Sequence, residues 1–361
     1  MWDLAVREGD YARADSLIRR RYPDPPWSMR AFDAFARGDS AARARILADA
    51  RQSDGPGVLF AAQWIAQHLQ DLATAGQFAH LATAPRHRPG VRATGHRVLA
   101  QHELAGGRWR AAAVEFTSAE RLGAADSVRE GHALAATLPF LAVPRADLEE
   151  MRAEIGRWVP DSEAPQRNLP LTAALRPGLR LYLLGLLSSR LGADADALGY
   201  AGELERLEVA EAGTVIRSWA QTVRADIAAR RGRLAEGLAV LGSVRGEIPL
   251  ELIDQPPYSE EYARYLRAEL LYQLGRYDEA RRWFETSFQT SFPNTGNEVI
   301  YLAPSHLRLA EIYEHLGERG KAADHYSRFI ELWQHCDPEL RPTVEDAKSR
   351  LAVVVREPVS H

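Results

Sequence analysis

Leu309-Ala310-Glu311-Ile312-Tyr313-Glu314-His315-Leu316-Gly317 runs into Ala322 and Tyr326. Upstream, Ala268-Glu269-Leu270-Leu271-Tyr272-Gln273-Leu274-Gly275 runs into Tyr277, Ala280 and Phe284. In both stretches a small residue precedes Gly by seven, a second small residue follows it by five, and an aromatic follows by nine. Two antiparallel helices approach closely only where side chains are small, so Ala268 with Ala280, and Ala310 with Ala322, mark helix crossings. Gly275 and Gly317 supply the left-handed residue that ends each first helix. Phe284 and Tyr326 fill the wedge toward the neighbouring hairpin.

Working outward, weaker copies repeat the spacing. One has Ala100, Gly107, Trp109, Ala112 and Phe116; another has Gly185, Gly192 and Ala197; a third has Ala225, Gly232, Gly237, Leu241 and Pro249. Gly9, Tyr11 and Ala14 read as the back half of a unit, behind a first helix of about eight residues where about twelve are usual. Segments 29–53, 58–84 and 128–158 read as helix pairs without the full signature. Elsewhere, Ala/Leu/Arg/Glu segments carry apolar residues at i, i+3, i+4 and i+7 between short Gly, Pro or Asp breaks, and no run of alternating β-branched residues marks a strand.

The small-Gly-small-aromatic pattern of the two C-terminal units resembles the tetratricopeptide repeat (TPR). Gly192, Gly232, Gly275 and Gly317 are 40, 43 and 42 residues apart, against about 34 in a minimal repeat. The resemblance implies an all-α fold, a right-handed α-solenoid of about eight to nine TPR-like hairpins. Residues 1–158 are expected to form degenerate N-terminal hairpins, 159–177 a Pro-rich connection, 178–336 the C-terminal repeats and 337–361 a capping helix and tail. Val344, Ala347, Leu351 and Val354 give that last helix one apolar stripe, behind the start signal Asp337-Pro338-Glu339. Further breaks are expected at Tyr22–Pro26, at Asp254-Gln255-Pro256-Pro257, and in a long loop over 290–304.

Residues 258–352 carry a second likeness. Tyr301-Leu302-Ala303-Pro304, Glu331-Leu332-Trp333 and Asp337-Pro338-Glu339-Leu340 resemble the C-terminal TPR region of bacterial Ser/Thr kinases and multidomain regulators. The sequence has no glycine-rich kinase loop, His-Arg-Asp or Asp-Phe-Gly motif. This likeness implies the sensory or docking module of a signalling protein without its catalytic or DNA-binding domain.

Composition narrows the function. The 361 residues are 46% hydrophobic and 26% charged, with 49 acidic against 45 basic side chains and a net charge of −4. That balance gives no whole-chain attraction to nucleic acid, so no nucleic-acid partner is expected. A single cysteine, Cys336, excludes an internal disulfide and a multi-thiolate metal site. The longest apolar stretch, Leu181–Leu187, falls far short of the roughly 20 residues of a membrane span. Charged residues near the N-terminus argue against a signal peptide. A cytoplasmic chain without membrane insertion is the expectation. Lysine stands only at Lys321 and Lys348, and the arginines are scattered rather than clustered for phosphate.

No catalytic constellation or cofactor site is read. Gly317-Glu318-Arg319-Gly320-Lys321 has two residues between its glycines where a phosphate loop has four, and Ala322 follows the lysine. His306, His315, His325 and His335 step by nine or ten residues, and His96 and His102 are six apart, unlike the i, i+3 or i+4 spacing of a helical metal pair. The histidines therefore read as a surface scatter and no metal is expected. Ser188-Ser189 lies inside a helix, and Glu149-Glu150 and Glu260-Glu261 sit near helix starts, where acids suit the dipole.

The TPR likeness implies that positions 2, 5, 9 and 12 of each first helix face a groove. Those positions are Tyr182; Trp219, Thr222 and Asp226; Tyr262, Tyr265, Glu269 and Tyr272; and Leu307, Glu311 and Glu314. Aromatic rings beside carboxylates suit an apolar, basic peptide or helix; packing between repeats is the competing role for Tyr265 and Trp219. The asparagines Asn168, Asn294 and Asn297 fall in loops, so the Lys/Arg-and-Asn clamp by which chaperone-binding TPRs grip a C-terminal carboxylate is not expected. The reading is a non-enzymatic scaffold for protein–protein interaction.

Overall fold

The computed structural model describes every residue except 1, 54–56, 124, 161–169, 210–212, 243–259, 287, 289–297 and 357–361. All regular structure among the described residues is helical. The order is α1 (Trp2–Arg7), α2 (Tyr11–Arg21), α3 (Trp27–Ala36), α4 (Ser40–Ala50), α5 (Gly57–Trp64, continued by a π-helical turn over Ile65–Leu69), α6 (Leu72–Ala82), α7 (Pro89–Ala105) and α8 (Trp109–Arg121). Then come α9 (Ala125–Thr137), α10 (Arg145–Arg157), α11 (Pro170–Arg190), α12 (Asp194–Arg206), α13 (Gly213–Arg230) and α14 (Leu234–Gly242). The last are α15 (Glu261–Gln273), α16 (Tyr277–Thr286), α17 (Val299–His315), α18 (Arg319–Trp333) and, after a 3-10 turn at Pro338–Leu340, α19 (Arg341–Arg356).

One turn recurs. Gly9, Gly38, Gly107, Gly192, Gly232, Gly275 and Gly317 all have φ between +69° and +78°. At Gly275 its own N–H reaches Tyr272 O (2.9 Å), and Arg276 N–H reaches back to Leu271 O (2.9 Å). Gly317 repeats the pair with Glu314 O (3.1 Å), and Glu318 N–H with Tyr313 O (2.8 Å). These bonds satisfy carbonyls that a helix end leaves open, and the left-handed residue between them is cheapest as glycine. The following helix then starts at once. Gly38 carries this turn although the 29–53 segment lacks the rest of the signature.

The chain forms two compact units. The first comprises 1–128, 288–302 and 332–335. In it α5, α6 and α7 pack in succession and α7 pairs with α8, burying Phe32, Phe78, Leu104, Trp109 and Phe116. Trp333 donates its indole N–H to Ala105 O at 3.1 Å within this unit.

The second unit comprises 129–287, 303–331 and 336–361. Here α11/α12, α13/α14 and α15/α16 are hairpins, and α13 also touches both α11 and α15. Ala268, Ala280, Phe284, Ala310, Ala322 and Tyr326 are all sealed from solvent. Glycines permit the closest approaches: a Cβ at Gly185 would stand 2.9 Å from Val223 Cγ2, and one at Gly237 would stand 3.2 Å from Ala225 O. Val344, Ala347 and Val354 bury the inner stripe of α19, with Leu351 half-buried.

Two segment expectations differ from the structure. The compact units divide at Val128/Arg129, and α11 begins at Pro170 with Pro177 inside it. Likewise α17 begins at Val299 and takes in Pro304, so the second part of the expected 290–304 loop is helix. An interior proline removes one helix hydrogen bond, but long apolar faces hold both helices through it. Pro165, Asn168, Pro249, Asp254–Pro257, residues 290–297 (which contain Asn294) and Asn297 lie outside the described residues.

Candidate functional site

The expected groove positions gather in the second unit as two polar clusters. Asp226 centres the first. It sits on α13, 3% exposed, and accepts hydrogen bonds from Ser189 Oγ on α11 and Tyr262 OH on α15. Arg230, one turn along α13, donates to Ser189 Oγ (3.1 Å) and stands 3.8 Å from Asp226. Burial pushes the Asp226 carboxyl above the usual carboxylate range, against the opposing pull of both hydroxyls, Arg230 and Arg190. Burial, with Asp226 adding to it, also holds the Tyr262 phenol well above its ordinary value. Beside this hub Tyr182 stacks on Trp219, ring centroids 5.4 Å apart.

The second cluster joins α15, α17, α18 and α19. Arg308 donates to Glu269 (2.8 and 3.0 Å) and to Glu311 (2.7 Å). Arg350 of α19 donates to Glu311 (2.8 Å) and Glu314 (3.1 Å). Tyr326 OH donates to Glu314 (2.7 Å). The guanidiniums of Arg308 and Arg350 lie over the rings of Tyr272 and Tyr326, at 4.8 and 5.5 Å. Burial works to lower the Arg308 guanidinium, but Glu269, Tyr265 and Glu311 outweigh it and raise it. Tyr272 is pushed up to about 12 by burial and the Glu311 charge.

These positions are less open than a groove requires. Tyr182, Trp219, Thr222, Asp226, Tyr262, Tyr265 and Glu311 are buried. Tyr265 packs against Phe140 and Phe284, which is the between-repeat role. Leu307, Glu269, Tyr272 and Glu314 keep partial exposure. The carboxylates meet arginines of the same chain, because a half-buried acid without a partner is costly.

Sequence reading missed Ser189 as a hub member, Arg230, Arg308 and Arg350. Arg308 stands three residues before Glu311, a spacing that pairs on a helix; Arg350 lies on the last helix and left no local signal. The histidines also depart from a surface scatter. His102 and His306 are buried, and His306 Nδ1 meets His325 Nδ1 at 2.8 Å across α17 and α18. Facing helices bring together residues whose spacing along one helix excludes a pair. Among the described residues no group of three or more His, Cys, Asp or Glu gathers as metal ligands. No helix among them is long and apolar enough to cross a membrane. Cys336 is buried and forms no disulfide. Compared with known proteins, the chain matches no family model and no curated sequence.

Proposed function

We propose that the second unit is a non-catalytic binding module, a TPR-like α-solenoid of helical hairpins that holds a protein segment along its first helices. One observation carries the reading: the left-handed glycine turn and its two hydrogen bonds recur at Gly192, Gly232, Gly275 and Gly317, which supports a row of equivalent faces on α13, α15 and α17. Helical repeats of this kind turn such a row into an extended contact surface. The accessible part of the row is Tyr272, Glu269 and Glu314, with Arg308 and Arg350 as their resident cations. A segment bearing arginine and apolar residues competes with Arg350 for Glu314 and lays its apolar side on Tyr272.

The test is binding of the purified chain to an array of helical peptides graded in arginine content and apolar face. Basic amphipathic peptides are expected to bind best. Tyr272→Ala combined with Glu314→Gln is expected to weaken them at least tenfold, about 1.4 kcal/mol. Equal capture of acidic peptides, or full retention by the double variant, refutes the reading.

A further inference from the structure

A cavity of about 90 Å³ opens inside the second unit, apart from both clusters. Its wall takes Thr214, Ser218 and Gln221 from one face of α13, Leu241 from α14, Arg264 and Arg267 from α15, and Trp283 from α16, with Glu260 at the head of α15. About 10–15 Å³ holds one water by this measure, so the space suits a molecule of several heavy atoms.

The wall is dipolar. Arg267 lies over the Trp283 ring at 5.0 Å and spends one donor on Leu241 O; a guanidinium has five. Glu260, opposite in charge, is bonded to Ser218; burial pushes its carboxyl up against the pull of Ser218, Arg264 and Arg267. Glu260 also holds a left-handed backbone, φ 60° and ψ 23°, a conformation that is strained for a non-glycine residue. Helix α15 could begin on glycine there; a carboxylate stands in the cavity instead. Leu241 and Trp283 add a short apolar wall beside Arg267.

We propose that this cavity binds a small zwitterion, a free α-amino acid with a short apolar side chain. Its carboxylate pairs with the Arg267 guanidinium, its ammonium group with Glu260 and the Ser218 hydroxyl, and its side chain rests on Leu241 and Trp283. A simple cation meets Arg264 and Arg267, and a simple anion meets Glu260 as a like charge; a ligand with both charges satisfies the carboxylate and a guanidinium together. The site is independent of the peptide-binding reading above.

The experiment is calorimetric titration and thermal shift of the full chain with each of the twenty amino acids at millimolar concentration. The best binder is then compared with its N-acetyl and amide derivatives, and with acetate and ethylamine. Saturable binding of one or a few small apolar amino acids is expected, and blocking either end should weaken it at least tenfold. Glu260→Gln and Arg267→Met should each do the same with the circular dichroism spectrum retained. If a variant fails to fold, the blocked-ligand series on the unaltered chain decides. Absence of any binding amino acid overturns the proposal. So does equal binding by acetate or by the blocked derivatives, or full affinity in both folded variants.

Discussion

Tyr262 donates its hydroxyl to a carboxylate sealed from water, which makes it a structural tyrosine before it is a binding one. A test that replaces Tyr262 and Tyr272 together by alanine therefore mixes two effects. Tyr262→Phe keeps the ring and strips Asp226 of one of its two hydroxyl partners. We expect a loss of about 1–3 kcal/mol, the cost of leaving a buried charged acceptor underserved. Tyr262→Ala adds a cavity and should cost about 3–5 kcal/mol. Urea midpoints at constant slope measure both, and a Tyr262→Phe protein as stable as the original would show that Ser189 and Arg230 suffice for Asp226. Tyr272, only half-buried, is the ring whose truncation should spare stability and affect binding.

At the scale of the element, the helical hairpin is fixed by its turn and its crossing. No atom lies within 4 Å of a Cβ placed on Gly317, so Gly317→Ala meets strain from the backbone alone, at φ +75°. We expect a loss of about 1–2 kcal/mol for alanine and less for asparagine, which tolerates this region. Equal losses for the two would show that strain is not the cause. Ala322→Glu should be far worse, because the crossing has no exposed surface there and the charge would be buried without a partner. An unchanged melting temperature for Ala322→Glu would show that α17 and α18 do not cross at that residue. These positions were legible in sequence because each follows from local geometry: a small residue where backbones meet, and glycine where φ is positive. The ionic cluster was legible only by half. Glu269, Glu311 and Glu314 lie at fixed intervals on their helices, but Arg350 reaches them from α19, and contacts between helices far apart in the chain leave no period to read. Tyr265 shows the same limit, since interval alone places it on the groove while Phe140, 125 residues earlier, decides that it is packed.

At the scale of the whole molecule, buried titratable groups set the response to acid. Burial lowers His102 and His306 to about 3, from an unfolded value near 6.5. Below 6.5 the unfolded chain takes up protons that the folded chain refuses, so their contribution is present above 6.5 and is lost as pH falls toward 3. Asp226, Glu260 and Asp33 have the opposite sign: their carboxyls are raised in the folded chain, so acidification toward their folded values favours folding at those sites. Below pH 6.5 each lowered histidine contributes a slope of up to about 1.4 kcal/mol per pH unit, and the raised carboxyls oppose it from their unfolded values up to their folded ones. His102→Gln should flatten the stability–pH curve by one such step, and an unchanged slope would mean that His102 is as accessible to protons folded as unfolded.

The contact between Trp333 and Ala105 asks more of the chain than local repetition. An array in which each repeat touches only its neighbours keeps residues 228 positions apart from meeting. Here the end of α18 belongs to the same compact unit as α7, and Trp333 is 3% exposed. Completing the first unit then requires a residue 228 positions after Ala105. We expect Trp333→Ala to remove a large buried side chain at about 3–5 kcal/mol, and to do so at a distance in sequence: amide exchange should accelerate along α7 and α8, not only around residue 333. Exchange that changes solely within α18 would show that the indole is packed by its own helix and that α7 is stable without it. Trp333→Phe separates the hydrogen bond from the packing; it keeps most of the buried area, so it should restore most of the α7 protection while leaving Ala105 O without its indole partner.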